Sequence, residues 1–207
     1  MPEHKAVTRG RPPATSAEEL SRVALKLFAN NGFDQTTMDD VAAALGLARR
    51  TVFRYVASKN DLVWGDFDWV LRRLEDEFAA TDPKAPLAIA LRDAVVASNT
   101  YPDEVLPELR LRLTLITTVP ALQAHSMLRY AEWREVVARF AARRLRRSSD
   151  HLVPQAIGYA ALAASTSAFA HWVQHPEKDL LKLLRRSYDL LAAGLDEAAV
   201  RRLARGI

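Results

Sequence analysis

The segment Val41-Ala42-Ala43-Ala44-Leu45-Gly46-Leu47-Ala48-Arg49-Arg50-Thr51-Val52 constrains this chain more than any other part of it. Apolar residues recur at helical spacing on both sides of Gly46, and only a tight turn fits between the two runs. Two short helices joined so closely must cross steeply and pack closely. That geometry needs a small residue at the crossing, Ala42, a glycine to end the first helix, Gly46, and apolar anchors at Val41, Leu45, Leu47 and Val52. The pattern predicts a helix-turn-helix, an arrangement whose second helix enters the major groove of DNA.

Charge placement points the same way. The net charge of +4 permits an anionic partner without naming one. Between Ala48 and Lys59, however, Arg49, Arg50, Arg54 and Lys59 stand with no acid among them, whereas acids and bases mix elsewhere. An arginine fork pairs with guanine O6 and N7 or with phosphate, so Arg49, Arg50 and Arg54 are the candidate base readers. Thr51 and Tyr55 carry hydroxyls suited to phosphate oxygens. Thr37, opening the preceding helix, and Lys59, in the first turn of the following one, complete the candidate contacts, since a helix N-terminus favours anions. A solvated basic face on a small bundle is the competing reading. Ahead of the domain, Arg9-Gly10-Arg11-Pro12 is similar to an AT-hook core, which would place Arg9 and Arg11 in a narrow minor groove; a plain disordered tail is the alternative.

The rest of the chain reads as helix, with no convincing period-2 strand. Residues 1–14 form a flexible basic arm. The first helix runs from about Ala17 to Asn30, capped by Thr15 or Ser16 and stopped at Gly32 by a left-handed residue. Short helices follow over Met38–Leu45 and Ala48–Tyr55, then a long one from Ser58 to Ala79. Further helices are predicted near 85–99, 104–117, 121–147, 154–174 and 177–204, with a proline near each boundary. The expectation is an all-α fold of about nine helices.

Composition excludes several activities. With 7 glycines in 207 residues, and neither GxGxxG nor GxxxxGK[ST], a nucleotide-dependent enzyme is not indicated. The absence of cysteine removes disulfides, thiolate catalysis and Cys-ligated zinc. His171 and His175, four apart, lack a third ligand of evident geometry, and no catalytic Ser/His/Asp order stands out, so no catalytic residue, metal or cofactor is assigned. The N-terminus has no secretory h-region, which makes the cytoplasm the default location. Residues 151–176 carry no Asp, Glu, Lys or Arg and are long enough to span a bilayer. Their Ala, Ser and Thr content instead suggests a buried helix, and no membrane partner is expected.

Residues 16–62 resemble the DNA-binding domain of TetR-like repressors. The match runs through Phe28-Ala29-Asn30-Asn31-Gly32-Phe33, Thr36-Thr37-Met38-Asp39-Asp40-Val41-Ala42, the turn, and Ser58-Lys59-Asn60-Asp61-Leu62. Three positions depart from the family pattern. Ala48 replaces the usual Ser cap, a loss that typically costs about 1 kcal/mol, Phe53 stands for Tyr, and Val56 for Phe. Phe53 is therefore not carried over as a phosphate contact. The resemblance implies a homodimer that represses transcription until a small molecule binds its C-terminal half. Trp64-Gly65-Asp66-Phe67, Pro120-Ala121-Leu122-Gln123-Ala124 and Tyr130-Ala131-Glu132-Trp133-Arg134-Glu135-Val136 further resemble regulators of the mycofactocin system. That subgroup implies control of a redox-peptide biosynthesis locus and a response to long-chain acyl-CoA.

Three segments follow: the arm over 1–14, a helix-turn-helix domain over 15–62, and a ligand-binding and dimerisation domain over 63–207. Aromatic residues that would line an elongated apolar pocket are Trp64, Phe67, Tyr101, Tyr130, Trp133, Phe140, Tyr159, Phe169 and Trp172, with Met127; ordinary core is the plainer reading of each. Of these, Trp64, Phe67, Met127, Tyr130, Trp133 and Trp172 are taken as ligand contacts. Arg110 joins them as a candidate for a ligand phosphate, with Arg112, Arg129 and Arg134 as further cations near the pocket. Arg139, Arg143, Arg144, Arg146 and Arg147 cluster at one helix end, as a macrodipole complement or a phosphate site. Helices near 154–174 and 177–204 would form a four-helix dimer interface, with burial inside one subunit as the competing role. The expected partners are a near-palindromic double-stranded operator, a small-molecule effector and a second copy of the chain. An acyl-CoA-acting enzyme on a helical bundle, or a DNA binder without effector, are the alternatives.

Overall fold

A computed structural model describes residues 16–194, and among them every regular element is helical. The arm with Arg9 and Arg11, and the chain beyond Gly194, lie outside the described residues. Helix α1 (Ala17–Asn31) starts at Ser16, whose Oγ accepts the Glu19 N–H at 3.0 Å. Gly32 ends it with φ 88 and ψ 148, a positive-φ conformation that is not the left-handed helical one expected.

Helix α2 (Met38–Ala44) opens with a reciprocal cap. Thr37 Oγ1 accepts from Asp40 N–H, and the Asp40 carboxylate accepts from the Thr37 backbone at 2.7 Å. The Thr37 backbone N–H, and after it the Thr37 hydroxyl at 2.8 Å from the same carboxylate oxygen, hold the Asp40 pKa below its ordinary value. Gly46 at φ 63 makes the turn, and Leu47 N–H closes it onto Ala42 O at 2.8 Å. Helix α3 (Arg49–Val52) is a single turn, shorter than the Ala48–Tyr55 expected, because Ala48 offers no side-chain cap and residues 53–55 continue as turns.

The long helix expected from Ser58 to Ala79 is two helices. Helix α4 (Lys59–Trp64) stops at Gly65, with φ 61 and ψ −143, and α5 (Phe67–Ala79) restarts with Asp66 Oδ1 accepting from Trp69 N–H at 2.9 Å. A glycine followed by an aspartate is a stop and a new cap, and these outweighed the continuous apolar periodicity. Ten α-helices result among the described residues, where about nine were expected for the chain.

Helices α6 (Leu87–Ser98), α7 (Leu106–Thr118), α8 (Pro120–Leu145), α9 (Leu152–Gln174) and α10 (Leu180–Ala192) complete the described chain, with a 3-10 turn at Asp103–Val105. Proline occupies the first turn of both α7 and α8, where its missing N–H has no helical partner to lose. No helix of the described residues is long and apolar enough to cross a membrane.

Two apolar clusters hold the molecule together. The first joins α1 to α4 and reaches Leu115 and Ile116 of α7 and Leu122 of α8. The second is built from α5, α6, α8, α9 and α10, and Leu71 and Trp133 pack against both. Helix α9 turns one row of its small residues inside the chain: a Cβ on Gly158 would lie 3.0 Å from Arg134 O, so α8 and α9 meet there. On the same side Ser165 Oγ and Tyr188 OH lie 2.9 Å apart, and the Tyr188 hydroxyl donates to Ala161 O at 3.0 Å. Burial drives the Tyr188 phenol far above its usual pKa, so it stays a donor. The opposite side of α9 is bare, with Leu152 77% and Tyr159 58% exposed and Ala156, Ala163 and Ser167 open between and beyond them.

Candidate DNA-reading head and effector cavity

Helix α3 projects its cations because Val52 alone of its residues is buried, anchored in the first cluster. Arg49, Arg50 and Arg54 are exposed, while Thr51 and Tyr55 are half-buried. Arg49 Nη1 contacts Asp39 Oδ2 at 2.8 Å, and its guanidinium lies 5.5 Å from the Phe53 ring centre. The ion pair bridges α2 and α3 at the surface, where such pairs contribute little stability. It holds the arginine in place. The Arg54 guanidinium lies 5.9 Å from the Tyr55 ring.

Thr37 and Lys59 are placed differently. Thr37 is exposed, but its hydroxyl is engaged with Asp40 in the α2 cap. Lys59 Nζ donates to Phe33 O at 2.9 Å and Thr36 O at 3.2 Å, 4.2 Å from the centre of the Phe33 ring. It fastens the α1–α2 turn to α4, a bond that spacing alone could not reveal.

Beneath this head lies an apolar cavity of about 120 Å³. Trp64 and Phe67, either side of the α4–α5 break, form one wall, with Val70 and Leu74 from α5. Leu109, Arg112, Leu113 and Ile116 of α7, Tyr130 and Trp133 of α8, and Leu162, Ser165, Thr166 and Phe169 of α9 supply the others. Trp64 packs edge-on against Phe67 and Tyr130, with centroids at 5.1 and 5.8 Å. Its buried indole Nε1–H has no hydrogen-bond partner. Burial raises the pKa of Tyr130, with the Ser126 hydroxyl opposing.

Of the expected ligand contacts, Trp64, Phe67, Tyr130 and Trp133 therefore come together on one cavity. Met127 does not: it is 62% exposed on the outer face of α8, because the step of one residue past buried Ser126, about 100° around the helix, carries it away from the core. Trp172 is buried but faces elsewhere, its Nε1–H donating to Lys178 O at 3.1 Å. Arg110 lies 4.0 Å from the Trp172 ring centre and donates to Trp172 O and Pro176 O at 3.0 and 3.2 Å, closing the end of α9. Both residues line a separate outer cleft of about 280 Å³, which shares Asn99 and Tyr101 with the cavity. Among the other aromatics, Tyr101 and Phe169 line the cavity, Phe140 stacks on Phe78 at 4.1 Å, and Tyr159 stands under Arg134.

Aromatic content found about a third of the cavity wall; the aliphatic residues, on α5, α7 and α9, carry no signal that separates them from core. Arg112, the charged residue of the cavity wall, was visible as a cation among apolar neighbours but not distinguishable from Arg110. In the arginine-rich end of α8, Arg139 pairs with Glu75 at 2.5 Å, and Arg144 donates to Asp82 O and Ala85 O across the α5–α6 turn.

Residues 20–63 match the model for bacterial regulatory proteins of the tetR family, and residues 85–196 match the MftR C-terminal domain. A Mycobacterium tuberculosis protein, named as a candidate mycofactocin biosynthesis transcriptional regulator MftR, is 40% identical over 95% of this chain and 98% of its own. The fold is shared with SmeT, repressor of the Stenotrophomonas maltophilia multidrug efflux pump SmeDEF. Its TM-score is 0.60 at 20% identity, covering 88% of this chain and 90% of that one. It is also shared with Thermus thermophilus FadR, a transcriptional repressor in complex with lauroyl-CoA. There the TM-score is 0.56 at 20% identity, over 86% and 94% of the two chains. A helix-turn-helix head over an all-helical body, matched along both parts of its length, makes this chain a member of the TetR family of transcriptional regulators, with the MftR type of C-terminal domain.

Proposed function

We infer that this regulator is a homodimeric repressor of a mycofactocin locus, released from a near-palindromic operator by a long-chain acyl-CoA. The observation that carries the reading is the apolar cavity walled by Trp64 and Phe67 on either side of Gly65. A ligand there presses on the junction between the basic head and the body. Residues 15–62 act as the reading domain and 63–207 as the effector and dimer domain. Arg50 and Arg54 read bases with Arg49, while Thr51, Tyr55 and Thr37 contact the backbone. Arg9 and Arg11 add minor-groove contacts.

The acyl chain occupies the cavity and the coenzyme portion extends past Asn99 and Tyr101 into the outer cleft, where Arg110 and Lys178 meet its phosphates. The lauroyl-CoA complex of the Thermus thermophilus fold relative supports this ligand class. At about 120 Å³ the cavity is smaller than typical ligand pockets of about 300–1,000 Å³, so a long chain must push its walls apart. That expansion is the work by which ligand alters the head. The bare face of α9 supports the dimer, because a second copy would cover Leu152 and Tyr159.

The deciding experiment selects an operator from a random duplex pool with the full chain, then titrates the complex with acyl-CoAs of several chain lengths. Chain-length-dependent loss of operator binding is expected. Unchanged operator affinity with every acyl-CoA would leave a DNA binder without this effector.

A further inference from the structure

Arg112 belongs to two places at once. It is the one charged side chain among the described residues lining the cavity, and it also reaches out of the body into the head. Its Nη1 donates to Ser21 Oγ of α1 at 3.2 Å and to Val63 O of α4, while Nη2 pairs with Glu108 Oε1 at 3.0 Å. Ser21 Oγ in turn donates to Leu62 O at 2.6 Å, so one guanidinium ties α7 to both α1 and α4. The tie passes directly over the backbone break, since a Cβ on Gly65 would lie 2.9 Å from Arg112 Nη1. At the same break, Trp64 lines the cavity and has a buried indole N–H with no acceptor.

An unpaired buried donor and a guanidinium, in a wall of apolar residues with Ser98, Asn99, Ser165 and Thr166 among them, suit a hydrogen-bond acceptor carried on an apolar chain. We propose that an acyl oxygen, as a thioester carbonyl or a carboxylate, accepts from Trp64 Nε1–H and Arg112 Nη1, drawing Arg112 off Ser21 and Val63 and so freeing the head. Glu108 keeps Nη2 throughout, which lets the guanidinium exchange partners at one end without leaving its place. Burial lowers the pKa of Arg112 against the pull of Glu108. The inference rests on the effector reading above, and it adds the atoms that sense the ligand and the contact that ligand breaks.

The test uses the full chain, its selected operator and three probes: palmitoyl-CoA, palmitate, and S-hexadecyl-CoA, a thioether with the same tail and coenzyme but no acyl oxygen. Palmitoyl-CoA is expected to lower operator affinity within the usual allosteric range of about 5- to 150-fold. S-hexadecyl-CoA is expected to bind while leaving operator affinity within about twofold, because it offers nothing to Arg112. Trp64→Phe keeps an aromatic ring and removes the N–H, so palmitoyl-CoA binding should weaken by about three- to tenfold more than S-hexadecyl-CoA binding. Arg112→Met, checked for native helix content, should bind operator weakly without ligand and lose its response to palmitoyl-CoA. If S-hexadecyl-CoA releases the operator as fully as palmitoyl-CoA, or both variants behave as wild type, the inference fails while the acyl-CoA reading stands. If palmitate alone binds and releases, with the same dependence on Trp64, the inference holds and the coenzyme is dropped from the reading. If none of the three probes binds wild type, both are overturned.

Discussion

Lys59 Nζ lies 2.9 Å from Phe33 O and 4.2 Å from the centre of the Phe33 ring, tying the first turn of α4 to the α1–α2 junction. Its ammonium is thus committed within the protein. Lys59→Met should destabilise the head by about 1–2 kcal/mol, the scale of a charged hydrogen bond that is partly solvated. The salt dependence of DNA binding should stay near wild type, since two of the three ammonium N–H groups are already taken by Phe33 O and Thr36 O. Thermal unfolding and a salt titration of operator affinity check the two halves separately.

Arg49 is held by Asp39 at 2.8 Å, whereas Arg50 and Arg54 are exposed without an ion pair among the described contacts. Arg50→Ala and Arg54→Ala should each cost about 1–3 kcal/mol on the selected operator where they read a base, and relax preference at one position. Asp39→Ala should leave stability nearly unchanged and broaden the sequences recognised, because Arg49 loses its fixed direction. Repeating the operator selection with each variant reads this out.

At Gly65 the backbone adopts φ 61 and ψ −143, and an added Cβ meets Arg112 and Ser21. Gly65→Ala should destabilise the chain by about 1–3 kcal/mol through strain in a region close to glycine-only. Operator affinity should fall without ligand. Unfolding midpoints and operator titration together distinguish this from a simple loss of fold.

Asp61 of α4 binds His125 Nε2 and Arg129 Nη2 of α8 at 3.0 and 3.1 Å, and Ser58 Oγ at 2.7 Å. Burial alone would raise its pKa, but Ser58, Arg129 and His125 outweigh that and leave the carboxyl below its ordinary value. A depressed folded-state pKa gives stability that is intact above the unfolded value of about 3.9 and lost as pH falls through the folded one. Wild type should therefore shed stability below about pH 4 more steeply than Asp61→Asn, which is weaker at neutral pH and flatter in acid. Urea unfolding across that range measures it.

The exposed side of α9 predicts the oligomeric state. Leu152→Glu combined with Tyr159→Glu should give a monomer by sedimentation, with helix content preserved, because surface changes of this kind usually shift chain stability by less than about 0.5 kcal/mol. Operator binding should collapse as the two heads lose their fixed spacing.

Local chemistry made much of this legible in advance. Ser16, Thr37 and Ser58 cap helices where their side chains required it, and Gly46 turns between α2 and α3 as the steric argument demanded. The break at Gly65-Asp66 was equally present in the residues, but an apolar pattern running through it hid it. What sequence could not supply were contacts at long separation: Lys59 to Phe33, Arg112 to Ser21 and Val63, Asp61 to α8. Each depends on which face of a helix meets which neighbour. That is also why Trp172 and Met127, chemically suited to a pocket, sit outside it.

An unbroken helix from Ser58 to Ala79 would have served as a stiff lever, swinging the head by a fixed angle for any push from below. Broken at Gly65, it is a joint, and a joint transmits only what its stays allow. Such a device is tuned by exchanging side chains at the head end of the stay, such as Ser21, leaving both the reading surface and the cavity wall untouched. Regulators sharing this break can thus differ in responsiveness, from locked to freely swinging, while recognising the same operator and the same molecule.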